Sequence, residues 1–250
     1  MPHAISKHMI VKCGTYALVG ASRTLDQEIF GDIARQCVES RVPVTIISSG
    51  AVKAGEESIH GGEPAFGLFR KEYAAIGARY LLQKWGDAFA TYGTEISQIW
   101  MTSVNVTHSD ERDSIYGAIR LCHLRGIVPI VNGNDAVSDS QHSVDNDCLA
   151  AVIAELTHPD AVLFLTRVGG VYEQDPSRNP RARRYAEIDP RTALTSPWLT
   201  NGMARKLTEA VRCFAMGMRV AIAGVEADTI RRFAAGEPVG TMIGDSVRFY

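Results

Sequence analysis

At 250 residues, 46% hydrophobic and 22% charged, the chain has an ordinary globular composition and the length of one large α/β domain or two small ones. A formal net charge of −2 provides no overall attraction to nucleic acid or to an anionic membrane, and no apolar run approaches the roughly 18 residues of a membrane span. One basic group, Arg178, Arg181, Arg183 and Arg184, lacks interleaved aromatic residues and reads as a solvated loop.

The first β-branched run is HMIVKCG at 8–14, followed by helical spacing in 25–40, where Ile29, Ile33, Cys37 and Val38 share a face. VPVTIISSG at 42–50 is a second strand. A long helix over 71–90 follows, carrying Tyr73, Ile76, Tyr80, Leu81 and Trp85 inward. EISQIWMT at 95–102 and IVPIVNG at 127–133 are strands around a helix at 112–125 whose inward stripe is Ile115, Ile119, Leu121 and Cys122. AVLFLTRVGGVY at 161–172 and RVAIAGV at 219–225 complete the clear strands. Strands alternating with helices imply parallel pairing, an α/β class and helices on both faces of the sheet. No polar linker divides the chain, so one domain over 1–250 is expected. Five scattered cysteines, Cys13, Cys37, Cys122, Cys148 and Cys213, form no CxxC and read as buried thiols of a reducing compartment. The opening MPHAISKHMIVK lacks the apolar core of a signal peptide, so a cytoplasmic location is expected.

Chemistry concentrates at the strand ends, where open parallel sheets bind ligands. Four of them bear glycine: VKCGT (11–15), SSGA (48–51), VNGNDA (131–136) and RVGGVY (167–172). Glycine lets backbone amides approach an anion, so two such loops within the first fifty residues suggest a phosphate cradle. Between Asn132 and Asp147 stand seven Asn and Asp side chains, Asn132, Asn134, Asp135, Asp139, Asp145, Asn146 and Asp147, more than a turn requires. The Walker motif, GxGxxG and the HRD and DFG pair of protein kinases are all absent, and His60, His108, His123, His142 and His158 show no metal-like grouping.

Taken together, IVKCGT, IISSGAVKAG, VPIVNGNDAV with VDND, and GMARKLTEA resemble in order the signatures of the amino acid kinase superfamily, and within it those of the glutamate 5-kinases. LTRVGGVYEQDPSRNP resembles that family's nucleotide-side segment, and EPVGTMI its last strand, so the likeness spans nearly the whole chain. It implies a three-layer αβα sandwich with a mainly parallel central sheet. It also implies an amino-acid-binding part over about 1–156 and a nucleotide-binding part over about 157–250. The implied reaction is phosphorylation of the side-chain carboxylate of L-glutamate by ATP with Mg²⁺, the first step of proline synthesis.

By the same resemblance, Lys12 and Lys206 act on the transferring phosphoryl group and Asp147 orients both lysines. Gly14, Thr15, Gly50, Thr166, Arg167, Tyr172, Gly202 and Met203 are assigned to the nucleotide, and no protein metal ligand is implied. Ser49, Gly50, Ala51, Asn132, Asp135, Asp145 and Asn146 are assigned to the acidic amino acid. The implied assembly is a homodimer or tetramer; the net charge leads to the expectation of no nucleic-acid or membrane partner, and the end at Tyr250 to that of no C-terminal PUA domain, which many members of the family carry. The sequence departs from the pattern at Gly133 (a Glu in the motif), Val144 (a Gly), Arg167 (an acid), and Leu199 and Asn201 (two glycines). These departures leave open a different acidic amino acid as acceptor, and a ligand-sensing protein without activity is the third reading.

Overall fold

The computed structural model describes residues 7–60, 69–137, 145–195 and 201–250, apart from the side chains of His60 and Asn201. Among these residues a sheet of nine strands runs in the order β3-β4-β2-β1-β5-β7-β8-β6-β9. The strands are β1 (Met9–Cys13), β2 (Val44–Ser48), β3 (Ile96–Met101), β4 (Val128–Gly133), β5 (Ala161–Leu165), β6 (Tyr185–Ile188), β7 (Arg219–Ala223), β8 (Thr241–Ile243) and β9 (Arg248–Phe249). β3, β4, β2, β1, β5 and β7 are mutually parallel. β8 returns antiparallel to β7, and β9 antiparallel to β6. The terminal EPVGTMI is therefore followed by one further short strand, and β6 was not expected.

Helices α1 (Gln27–Glu39), α2 (Ala51–His60), α3 (Arg70–Ala90) and α9 (Thr229–Ala234) supply one core with Val11, Ile46 and Leu163. The second core, around Ile10, Ile47, Val131 and Phe164, receives α5 (Ser109–Leu124), α6 (Asn146–Thr157), α7 (Pro190–Thr195) and α8 (Asn201–Ala215), with the short α4 (Ser103–Thr107) at its margin. Helices thus cover both faces, and the strands between them are apolar on both sides. Two expectations need correction. Leu121 is more than half exposed, so the inner face of α5 is made by Ile115 and Ile119. Only Cys13, Cys37 and Cys213 are buried, because Cys122 and Cys148 lie at helix margins and are partly exposed.

At the amino-terminal edge of the sheet, the fully buried His8 ring stands 5.4 Å from that of His123, and neither ring nitrogen of His8 has a hydrogen-bond partner among the described residues. Burial, then the neighbouring His123, pulls His8 from 6.5 down to about 4, while Asp160 opposes; burial pulls His123 to about 4 as well. A folded-state pKa below the unfolded value favours the neutral form. Stability is therefore full above about pH 6.5 and is lost as pH falls toward 4. We expect the pair to contribute about 2–4 kcal/mol of that loss. Urea titrations at pH 7.5, 6 and 5 test this, with the slope between pH 6.5 and 5 shrinking in His8→Leu.

Candidate functional site

Parity along β1 brings the site together. Met9, Val11 and Cys13 enter one core and Ile10 the other, so Lys12 emerges on the Ile10 face, beneath α6 and α8. On α6, Asp147 shares the inward stripe with Ala150, Ala151 and Ala154, and on α8 Lys206 borders the stripe of Met203, Leu207 and Ala210. Three charged side chains from distant segments consequently meet in the interior. Asp147 Oδ1 lies 2.7 Å from Lys12 Nζ and accepts a hydrogen bond from Lys206 Nζ at 2.8 Å. None of the three is more than 7% exposed. Burial by itself would raise the Asp147 pKa, but the charges of Lys206 and Lys12 outweigh it and hold the carboxyl below its usual range. Burial, then the charge of Lys12, brings Lys206 down to about 8, with Asp147 opposing. The three side chains together carry one excess positive charge.

Around this triad, strand ends and helix starts converge. Gly50, at φ +117°, turns the chain from β2 into α2, a conformation that a side chain would strain. Ser49 N–H donates to Cys13 O at 2.9 Å, tying the two loops together. Gly14 is different: its φ of −72° is ordinary, and an added Cβ would lie 3.6 Å from Lys12 Nζ. What glycine leaves there is room beside the lysine. Thr15 begins a 3-10 turn over Thr15–Ala17, and Ala51 begins α2.

Asn146 stitches the polar stretch together. Its Nδ2 donates to Ser49 Oγ at 3.0 Å and lies 3.4 Å from Asn132 Oδ1, and its Oδ1 accepts from Gly133 N–H at 3.1 Å. Asn132 is 2% exposed, and its Nδ2 is buried without a partner. Asp145 caps α6 by accepting from Asp147 N–H at 3.0 Å, and it pairs with Arg205 at 3.2 Å. Asp135 pairs with Arg70 at 3.6 Å. Asp139, Val144 and Leu199 lie outside the described residues.

The nucleotide-side candidates are more dispersed. Thr166 follows β5 and donates its N–H to Ala223 O at 2.8 Å, Arg167 is exposed, and Tyr172 bridges to Arg184. Gly202 and Met203 open α8, Gly202 exposed and Met203 against the second core. Sequence reasoning missed Arg70 and Arg205; their partners lie 65 and 60 residues away along the chain, and no local pattern marks them.

The chain matches the model of the amino acid kinase family over residues 7–224. It is 35% identical over 254 residues to a glutamate 5-kinase of Proteus mirabilis, covering 95% of this chain and 68% of that protein. Among solved structures, UMP kinase from Bacillus anthracis superposes with a TM-score of 0.66 at 18% identity, covering 98% of each chain. Carbamate kinase from Giardia lamblia superposes with a TM-score of 0.68 at 16% identity, covering 96% of this chain and 99% of that one. Likenesses of that low identity speak for the fold.

Proposed function

The chain belongs to the amino acid kinase family, and we propose that it transfers the γ-phosphoryl group of ATP to the side-chain carboxylate of L-glutamate, giving γ-glutamyl phosphate and ADP. The observation that carries this reading is the buried Lys12–Asp147–Lys206 group at the carboxyl end of the sheet. A carboxylate oxygen attacks the γ-phosphorus, an O–P bond forms, and the bond to the β,γ-bridging oxygen breaks. No proton moves, so no general base is required. The obstacle is repulsion between anions, and the remedy is positive charge fixed before the substrates arrive.

Lys12 and Lys206 supply that charge, and Asp147 holds both ammonium groups at one oxygen. α2 begins at this edge, so its first-turn N–H groups favour phosphate or carboxylate there. Asn132, Asp135, Asp145, Asn146, Ser49 and Ala51 receive the amino acid within the part spanning about 1–156. Thr15, Thr166, Arg167, Tyr172, Gly202 and Met203 receive the nucleotide, mostly from about 157–250. Among the described residues no group of three or more His, Cys, Asp or Glu could hold a metal, and magnesium would enter with ATP. The ion would ride on the phosphates, and no step is assigned to it.

A different acceptor is not favoured, because the relatives at 33–35% identity over 94–95% of the chain are glutamate 5-kinases. An idle sensor would leave three desolvated charges without a task. Assembly as a homodimer or tetramer is part of the proposal. No helix among the described residues is long and apolar enough to cross a membrane. The test is ADP release with L-glutamate, L-aspartate and N-acetyl-L-glutamate, with hydroxylamine trapping of the acyl phosphate. Trapped product with glutamate supports the reading; release with another acid alone reassigns the acceptor, and none with any acid ends it.

Lys206 also makes the reaction pH-dependent. With its pKa at about 8 in the free protein, the second cation is lost as pH rises through that value. We expect kcat/KM for ATP, which reports the free enzyme, to fall about tenfold per unit above pH 8. The limb in kcat should lie higher, because bound phosphates favour the charged amine. Coincident limbs would mean that Lys206 does not face the nucleotide.

A further inference from the structure

The glutamate reading assigns partners for the reacting end of the acceptor but leaves its α-carboxylate without a cation. Resting on that reading, we infer that Arg70, which belongs to none of the motifs, is that cation, and that Arg70 and Asp135 together select a free α-amino acid zwitterion.

Arg70 opens α3, whose first turn is pinned by Glu72 Oε2 accepting from Phe69 N–H at 3.2 Å. Its Nη2 stands 3.6 Å from Asp135 Oδ2, close enough for charge attraction yet longer than a well-made hydrogen bond. The Asp135 side chain is 19% exposed while that of Arg70 is 76% exposed, so the guanidinium lies beside the carboxylate with most of its donors still in solvent. Asp135 itself is held by a tight turn, its N–H donating to Gly133 O at 3.0 Å. Immediately before that turn lie Asn132 and Gly133, which Asn146 ties to Ser49. A negative and a positive side chain therefore stand side by side at the rim, with neutral amides next to them.

An α-amino acid presents the complementary arrangement: an ammonium and a carboxylate on one carbon. Its ammonium meets Asp135 and its α-carboxylate meets the Arg70 fork, which suits bidentate contact. The side-chain carboxylate is then left to extend toward Lys12 and Lys206. Before substrate arrives, Arg70 also offsets the negative charge of Asp135, which alone would repel an anionic acceptor. An N-acylated amino acid would leave Asp135 facing an amide and be rejected.

Two analogues divide the zwitterion. Glutarate lacks the ammonium, and 4-aminobutyrate lacks the α-carboxylate. Both are measured as competitive inhibitors against glutamate in the wild type, Arg70→Ala and Arg70→Lys. In Arg70→Ala, KM for glutamate and Ki for glutarate are expected to rise about ten- to thirtyfold. Ki for 4-aminobutyrate and kcat with glutamate should change less than about threefold, and Arg70→Lys should recover part of the loss. Equal losses for all three ligands, or an unchanged KM for glutamate, overturn the role of Arg70 while the kinase reading stands. A wild type that releases no ADP with glutamate overturns the reading beneath it.

Discussion

Asparagine in place of Asp147 is expected to lower kcat by about 10²–10³-fold, because the two lysines that present preorganised positive charge to the transition state lose the anion that positions them. The amide keeps the shape of the carboxylate and removes its charge. Lys12 and Lys206, which share Oδ1 at 2.7 and 2.8 Å, then face each other without an intervening anion. Asp147 is also a group that raises the Lys206 pKa, so without it that amine falls below about 8. The pH at which kcat/KM declines should move toward acid by about one unit. A purely structural aspartate would reduce activity without moving that limb. Lys12→Ala should lose a similar factor while leaving the limb in place or shifting it upward, since the charge of Lys12 depresses Lys206. In Asp147→Asn two buried ammonium groups lose their anion, which costs about 3–5 kcal/mol, so that assay belongs well below the melting temperature of the variant. Turnover above about a third of the wild type in both variants would sink the assignment.

How much of this could be seen in the chain alone follows from which interactions are local. β1, β2 and β4 end where HMIVKCG, VPVTIISSG and IVPIVNG meet glycine, because strand and turn signals lie within a few residues. The run AVLFLTRVGGVY turns apolar again after Thr166 and Arg167, yet β5 stops at Leu165. Gly169 and Gly170, at φ +77° and +157°, take a path that a strand cannot follow, and composition does not reveal that choice. β6, β8 and β9 are short, and their pairing is set by what β7 leaves open, so periodicity had little to register. Lys12, Asp147 and Lys206 were legible only through a family pattern. Their meeting is a matter of strand parity and helix facing across nearly two hundred residues. The Arg70–Asp135 pair has no pattern at all, and appears only when α3 is set beside β4.

A second large effect comes from two glycines that look ordinary in the sequence. Alanine at Gly77 is expected to destabilise the protein by at least about 3 kcal/mol. A Cβ there would lie 1.9 Å from Ala51 O and 2.3 Å from Gly55 N, and one on Gly55 would lie 2.0 Å from Tyr73 O. These are backbone atoms of two crossing helices, α2 and α3, so no rotamer change relieves the overlap. The helices must separate, and with them the contacts that seat Leu81 and Trp85 in the core. The damage would reach the site as well. Ala51 is the first residue of α2, directly after Gly50, and Trp85 Nε1 donates to Ser48 Oγ at 2.9 Å. A displaced α2 therefore moves the loop carrying Ser49 and Gly50. For a chain of this size the expected fall in Tm is about 6–12 °C. Gly31→Ala and Gly117→Ala are the controls, since nothing lies within 4 Å of a Cβ at either position. Both sit inside helices at ordinary φ, so each should gain about 0.4–1 kcal/mol. If Gly77→Ala melts within about 2 °C of the wild type, the crossing can open freely, and the β2–α2 loop is then held by something other than the α2–α3 contact.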